Sequence, residues 1–374
     1  MCDNALKRLG TLGQSVWLDD IGRGLLTSGR LRKMIDEDDL RGMTSNPSIF
    51  EKAISTTRDY DDDIFAMAAS GHGAQAIYES LSIRDVQAAA DEFRHIYDLS
   101  GGADGFVSLE VNPHLAALTE ETVEEARRLW TTLDRPNVLI KVPATDQGLP
   151  AIRRLIAEGI NVNVTLVFGL PRYAQVAEAY LAGLETRLSR GLPIKHVASV
   201  ASFFVGRIDT MVDSLLQNLV AKGSPHADLA KILLGQTAIS CAKMAYQRYQ
   251  EIFRGERFGL LSLQGARPQR LLWASTGTKN RDYSQVKYVE ALIGPDTINT
   301  LPQATLEAYR ETGNPKLRLE QDIKEAIWVM ERVAELGIEM PTVTANLERE
   351  GIEKFNQPFD KLMETLSKSS PRFL

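Results

Sequence analysis

The sequence predicts an α/β chain folded as a (β/α)8 TIM barrel with additional helices, and three observations carry that reading. Short runs rich in β-branched and apolar residues recur eight times, most of them followed by a helical pattern. Most successive runs lie roughly 25 to 35 residues apart, the length of one βα unit. Within the runs one face is apolar, while the other ends in a residue that ionises or hydrogen-bonds. Counting units favours a closed barrel and leaves an open doubly wound sheet as the alternative.

The runs are SVWLDD from Ser15, LRGMTSN from Leu40, GFVSLEV from Gly105 and NVLIKVPA from Asn137, then NVNVTLVF from Asn161, HVASVASFFV from His196, RLLWAST from Arg270 and INTLP from Ile298. Two separations are longer, Asn46 to Gly105 and Phe204 to Arg270, and are read as extra helices because structureless loops of that length are rare in compact domains. In LTEETVEEARRLWTTLD, Thr119 reads as an N-cap, with Thr122 where a capping-box Glu would stand. LPAIRRLIAEG ends on Gly159, a C-cap residue. From Lys316 to Lys368 the pattern is helical, with no indication of where it packs. SGHGAQA reads as a turn between helices, and DEDD at Asp36 and DYDDD at Asp59 as solvated faces or turns.

Alternation assigns faces. Val138, Ile140 and Val142 oppose Leu139 and Lys141; Val162, Val164 and Leu166 oppose Asn161, Asn163 and Thr165; Val107, Leu109 and Val111 oppose Ser108 and Glu110. Val16 and Leu18 oppose Ser15, Trp17 and Asp19, and the same split groups Thr44 with Asn46, Ser202 with Phe204, and Trp273 with Ser275. In a closed barrel the late strand positions converge on one mouth, where such folds hold their active sites. That would gather Asp19, Asn46, Glu110, Lys141, Asn163, Thr165, Ser202 and Ser275 in one pocket. Any one of these reads equally well as a strand-end residue wetted by solvent. So many strands at once are harder to explain that way, because buried polar groups are costly without partners.

Composition bounds the rest. The 374 residues carry a net charge of −6, with 44% hydrophobic and 25% charged residues, and are read as a single domain, 1–374. Only two cysteines occur, Cys2 and Cys241, which excludes a disulfide framework and suits a reducing, cytoplasmic compartment. The acidic balance argues against an extended nucleic-acid surface. No apolar stretch approaches the roughly 18 residues of a membrane span, and the N-terminal MCDNALKRLGTLGQ has no signal-peptide core. The five histidines show no ligand spacing, so neither a metal nor another cofactor is expected. Monomer and homodimer stay open.

Lys141 is the sharpest single residue. Inside the apolar VLIKVPA its ammonium would be desolvated, and an uncharged amine is a nucleophile suited to forming a Schiff base with a ketone. An edge-strand lysine with its head in water fits that strand alone equally well. Asp19 and Glu110 supply carboxylates for proton transfer, while Asn46, Asn163 and Thr165 could position substrate hydroxyls or a water. Gly206 and Arg207 in SFFVGRID open a helix after a strand, an arrangement that binds phosphate or simply solvates an arginine. ASTGTKN adds Ser275, the backbone amides around Gly277, and Lys279, but no glycine stands at P-loop spacing before GTK.

These residues carry a resemblance. GMTSNPSIF around Asn46 and VLIKVPATDQG around Lys141 are similar to the two short motifs of transaldolases, and EGINVNVTLVF and FFVGRID resemble the same family. The resemblance implies a class I aldolase-type barrel that moves a dihydroxyacetone unit from sedoheptulose 7-phosphate to glyceraldehyde 3-phosphate, without a cofactor. It implies that Lys141 forms the Schiff base, that Asp19 exchanges a proton with the C4 hydroxyl, and that Glu110 works through a water with Thr165. Asn46 and Asn163 would bind substrate hydroxyls, with Ser202, Phe204 and Arg207 on the pocket and phosphate side. Where many members carry a Ser-Phe-Arg run, this chain reads Ser-Thr-Gly-Thr-Lys from Ser275 to Lys279, similar to a longer bacterial branch. Fructose 6-phosphate aldolase-like enzymes share the lysine but resemble one another in having glutamine and tyrosine where this chain has Glu110 and Phe204. A non-catalytic sugar-phosphate-binding barrel is the other alternative, although such a protein would be expected to lose the lysine or its acids.

Overall fold

A computed structural model describes residues 4–369, so Cys2 lies outside the described residues. The strands are β1 (Gln14–Asp19), β2 (Leu40–Thr44), β3 (Phe106–Glu110), β4 (Val138–Pro143), β5 (Val162–Val167), β6 (Ser199–Phe204), β7 (Arg270–Ala274) and β8 (Thr297–Leu301). All pair in parallel in sequence order, and β1 closes on β8, which excludes the open sheet. The long separations hold helices, Pro47–Thr56, Asp61–Ala69 and Ala74–Leu99 in the first and Gly206–Ala221 through Glu256–Leu263 in the second. Helix Gly148–Glu158 ends at Gly159, whose φ of 87° needs a residue without a Cβ. The SGHGAQA turn joins Asp61–Ala69 to Ala74–Leu99.

Register decides what the mouth contains. Glu110 lies opposite Lys141, and Lys141 opposite Asn163, so β3, β4 and β5 present three polar side chains at one level. Asp19 lies opposite Thr44 in the same way. At the other end of the barrel Trp17 fills the interior. A Cβ on Gly42 would sit 2.6 Å from its ring, so β2 must carry glycine there. The Trp17 indole N–H and the Ser15 hydroxyl both donate to Asp104, which also pairs with Arg270.

Four expectations need correction. Thr119 is the first residue of helix Thr119–Leu133 and not its cap; its hydroxyl donates to the Gln147 carbonyl and Thr122's to the Leu115 carbonyl. Trp273 does not share the inner face with Ser275. Its ring meets Phe203 outside the barrel at 6.0 Å, and Ser275 reaches the mouth because its φ of 56° breaks the two-residue alternation. Leu166, expected on the outer face with Val164, has a φ of 60° at an irregularity in β5 and packs against Gly351. Asp38 in DEDD is buried rather than solvated, held by Asn4 and Arg310.

The C-terminal pattern also finds its place. Residues 316–322 are not helical; helix Ile323–Glu335 follows, then the C-terminal helix Met340–Ser369. That last helix crosses the barrel mouth, touching helices Pro47–Thr56, Ala74–Leu99 and Gly206–Ala221 as well as β5. No helix among the described residues is long and apolar enough to cross a membrane.

Candidate active site

A cavity of about 210 Å³ opens at the C-terminal ends of the strands. Of the residues expected there, Asp19, Asn46, Lys141, Ser202, Phe204, Arg207, Ser275 and Lys279 line it. Glu110, Asn163 and Thr165 stand just behind this lining, all buried.

Lys141 is 4% exposed, and its Nζ donates to the Ser45 carbonyl at 3.1 Å and lies 3.4 Å from Glu110 Oε2. Burial pushes the Glu110 carboxyl up to about 7, against the pull of the Lys141 ammonium and with a smaller push from Asp19. A carboxylic acid poised near neutrality beside an amine can take its proton and later return it. Raising a carboxyl in the folded state means the folded protein binds more protons than the unfolded chain between about 4.5 and about 7. The group's contribution to stability is therefore lost as pH rises through that window.

Asp19 is held differently. Thr44 donates its hydroxyl to Asp19 Oδ1 at 2.7 Å, and Thr300 lies 2.7 Å from the Thr44 hydroxyl, so a chain of hydroxyls from β2 and β8 orients the carboxylate. Burial raises its pKa, opposed by Lys141, the Thr44 bond and Arg207. Asn163 accepts from the Ser202 hydroxyl at 2.7 Å and donates to Ser108 Oγ at 3.0 Å, which fixes the orientation of its amide. The Thr165 hydroxyl, fully buried, finds no hydrogen-bond partner among the described residues. Asn46 is partly committed to the fold: its Oδ1 caps helix Pro47–Thr56 at the Ile49 amide, leaving its NH₂ for a ligand.

The opposite wall is cationic. Arg207 leans over the Phe204 ring at 5.6 Å, and its Nε and Nη1 are buried without a hydrogen bond among the described residues. Lys279 lies at the rim; partial desolvation, Arg207 and Lys354 all lower its pKa. Burial lowers that of Arg207, against Glu350 and Asp19. Two cations that disfavour each other, with no carboxylate within ion-pair distance among the described residues, suit a dianion such as a phosphate. One part of the sequence reading fails here. The Gly206 amide donates to the Ser275 carbonyl and the Ile208 amide to that of Val205, so neither of these amides is free for the anion. Gly206 matters for fit instead, since a Cβ there would lie 2.7 Å from Ser275 O.

The loop bearing Lys279 is tied to the helix bearing Arg207 by buried groups that sequence reasoning missed. Asp209 accepts from the Tyr288 hydroxyl at 2.9 Å and the Ala238 amide at 2.7 Å; Asp213 accepts from the Tyr283 hydroxyl at 2.7 Å and the Gly235 amide at 2.8 Å. Lys287 closes the set, donating to the Gly235 carbonyl at 2.6 Å and lying 3.6 Å from the centre of the Tyr283 ring. Burial lifts Asp209 to about 6. Thr44 and Gly277, both singled out in the sequence, line the cavity too; missed were Thr300, Pro302, Ala274 and Phe355, which also line it. Among the described residues no group of three or more His, Cys, Asp or Glu side chains is placed to hold a metal ion.

Arg207→Ala is expected to raise KM for phosphorylated substrates strongly while leaving kcat less affected, through loss of a charge-assisted bond worth about 1.5 to 3 kcal/mol. Initial-rate kinetics check it; an unchanged KM would assign Arg207 a purely structural role.

Comparison with known proteins adds an independent line. A family model described as Transaldolase/Fructose-6-phosphate aldolase matches residues 16–366. A transaldolase of Trichodesmium erythraeum is 44% identical over 370 residues, covering 98% of this chain and 97% of the relative. One from Thiobacillus denitrificans is 45% identical over 360 residues, 96% of this chain and 99% of its own. A protein named Transaldolase 2 from Nostoc punctiforme is 44% identical over 372 residues, covering 98% and 97%.

Proposed function

Since the chain belongs to the transaldolase/fructose-6-phosphate aldolase family, we propose that it is a transaldolase working at this mouth as a single domain, 1–374. It moves a dihydroxyacetone unit from sedoheptulose 7-phosphate to glyceraldehyde 3-phosphate, giving erythrose 4-phosphate and fructose 6-phosphate. The observation that carries the reading is Lys141, a buried amine between a carboxyl near neutrality and a cavity whose far wall is cationic.

In that reading the Lys141 amine attacks the donor ketone. Glu110, acting through a water that Thr165 helps to hold, accepts the ammonium proton and returns one as the carbinolamine loses water. Asp19 takes the C4 hydroxyl proton as the C3–C4 bond breaks, and the electron pair passes into the enamine on Lys141. The aldose phosphate leaves, an acceptor aldehyde takes its place, and the steps reverse. Asn46, Asn163, Ser202 and Ser275 orient hydroxyls, while Arg207 and Lys279 hold the phosphate. No cofactor takes part, and the setting is the cytoplasmic, non-oxidative branch of the pentose phosphate pathway, which the reducing-compartment reading of the two cysteines supports. Glu110 and Phe204 favour transfer over the aldolase branch of the family, whose members resemble one another in Gln and Tyr at these positions.

A coupled assay for erythrose 4-phosphate, with the acceptor omitted as control, tests the reading; product without acceptor would favour the aldolase. The Glu110 role predicts a pH signature. The rate of forming the borohydride-trapped adduct should rise with pH through about 7 as the carboxyl ionises, and Glu110→Gln should lose that limb and form the adduct about 10²- to 10⁴-fold more slowly. Single-turnover trapping across pH checks both.

A further inference from the structure

We propose that Phe355 is a specificity-determining residue that keeps bulk solvent from the enamine carbon of the Lys141 adduct and so commits the dihydroxyacetone unit to an acceptor sugar. This rests on the transaldolase reading above. Phe355 lies on the C-terminal helix, more than two hundred residues from Lys141 in sequence, yet its ring centre is 5.4 Å from Lys141 Nζ. The ring is 3% exposed and lines the mouth cavity directly.

The helix is pinned on both sides of this residue. One turn before it, Gly351 meets Leu166; a Cβ there would lie 2.9 Å from Leu166 Cδ2, so a larger residue would have to push that side chain aside. One turn after it, Phe359 packs edge-on against Tyr78 at 5.5 Å and against His114 at 5.9 Å. Asp360 bonds His114 at 2.7 Å, and Lys361 pairs with Glu51 at 2.7 Å. These contacts fix the helix without Phe355. Its ring therefore serves the cavity more than the helix packing. An aromatic face suits the position because it attracts the lysine's positive charge without offering a hydroxyl or water.

The consequence follows from the fate of the enamine. In transfer, the enamine carbon gives its electron pair to the acceptor aldehyde carbon, the aldehyde oxygen takes a proton, and water then adds to the imine of the new ketose, whose C–N bond breaks with its electron pair on the Lys141 amine. In release, the same carbon takes a proton from solvent, water adds to the resulting imine carbon, and the C–N bond breaks with its electron pair on the Lys141 amine. Free dihydroxyacetone leaves, and the water lost on forming the imine is regained. Both routes need one water at the imine carbon, but only release needs a solvent proton at the enamine carbon, so the reach of solvent to that carbon sets the partition.

The test uses the full chain, wild type, Phe355→Leu and Phe355→Ala, with fructose 6-phosphate as donor. Dihydroxyacetone is measured without acceptor, and sedoheptulose 7-phosphate with erythrose 4-phosphate present. The ratio of release to transfer should rise at least about fivefold, more for alanine than for leucine, with the borohydride label still on Lys141. A ratio equal to wild type, or both rates falling together, would overturn the proposal and leave Phe355 a packing residue. Leucine keeps most of the buried apolar volume, so thermal melts of that variant separate folding from partitioning. A wild-type protein that neither traps an adduct nor transfers would sink the transaldolase reading itself, a different outcome from an unchanged ratio.

Discussion

Lys141→Ala is expected to lower turnover by at least about 10⁴-fold, because it removes the only covalent route from the donor ketone to the acceptor. Incubating the wild-type protein with fructose 6-phosphate and borohydride should add the mass of a reduced dihydroxyacetone unit. Peptide mapping should place that mass on Lys141, and the variant should carry none. The substitution has a second effect that must be separated from the first. It leaves Glu110 buried without the nearby cation, and removing one partner of a buried pair commonly destabilises by about 3 to 5 kcal/mol. At pH below about 7 Glu110 can take up a proton instead, so the structural loss should shrink as pH falls while the chemical loss stays complete. Melting curves at two pH values alongside the mass label distinguish the two. A label elsewhere on the chain, or a variant that still turns over, would remove Lys141 from the mechanism.

Asp19→Ala should stall the reaction one step later. Its carboxylate stands on β1, oriented by Thr44, while Glu110 stands on β3 beside Lys141. Loss of a positioned base typically costs roughly 10²- to 10⁴-fold in rate. The variant should still form the donor adduct, trappable by borohydride, and yet fail to release glyceraldehyde 3-phosphate from fructose 6-phosphate. Quenched single turnovers read by mass spectrometry show which species accumulates. If Asp19→Ala and Glu110→Gln accumulate the same species, their division of labour is refuted, whatever becomes of the overall reaction.

The central row of the site was legible because strand alternation is rigid. Once Val138, Ile140 and Val142 face the helices, Lys141 must face inward, and its neighbours Glu110 and Asn163 follow from the parallel register. Legibility ended where the backbone leaves that period. Ser275 and Leu166 depart from it through positive φ, and no local composition marks either position. In β8, Asn299 and Thr300 are both polar, so parity could not say that Thr300 meets Thr44. Asp209 and Asp213, one helical turn apart, carry no sequence mark that sets them apart from a solvated face. They are buried because Tyr283, Tyr288 and Gly235, distant in sequence, converge on them. Phe355 shows the same limit from the other side. A glycine within a helix weakens it by about 1 kcal/mol, so Gly351 was a signal of close approach, but nothing local named Leu166 as its neighbour.

The helix that roofs the mouth has a consequence for biosynthesis. The last barrel strand ends at Leu301, whereas Phe355 lies 54 positions further on. A ribosome adding about 5 to 20 residues per second needs several seconds to cover that interval. During it the eight strands have all been made, but Lys141 faces solvent with no ring above it. A nascent barrel that closed within that interval would do so before Phe355 could cover its amine. Ketoses and other carbonyl compounds that meet it in that interval would find a reactive lysine without the cover that governs what happens next. On the proposed role of Phe355, competence for transfer comes with the final helix, and a cut chain whose barrel still closed should keep Lys141 and lose its selectivity.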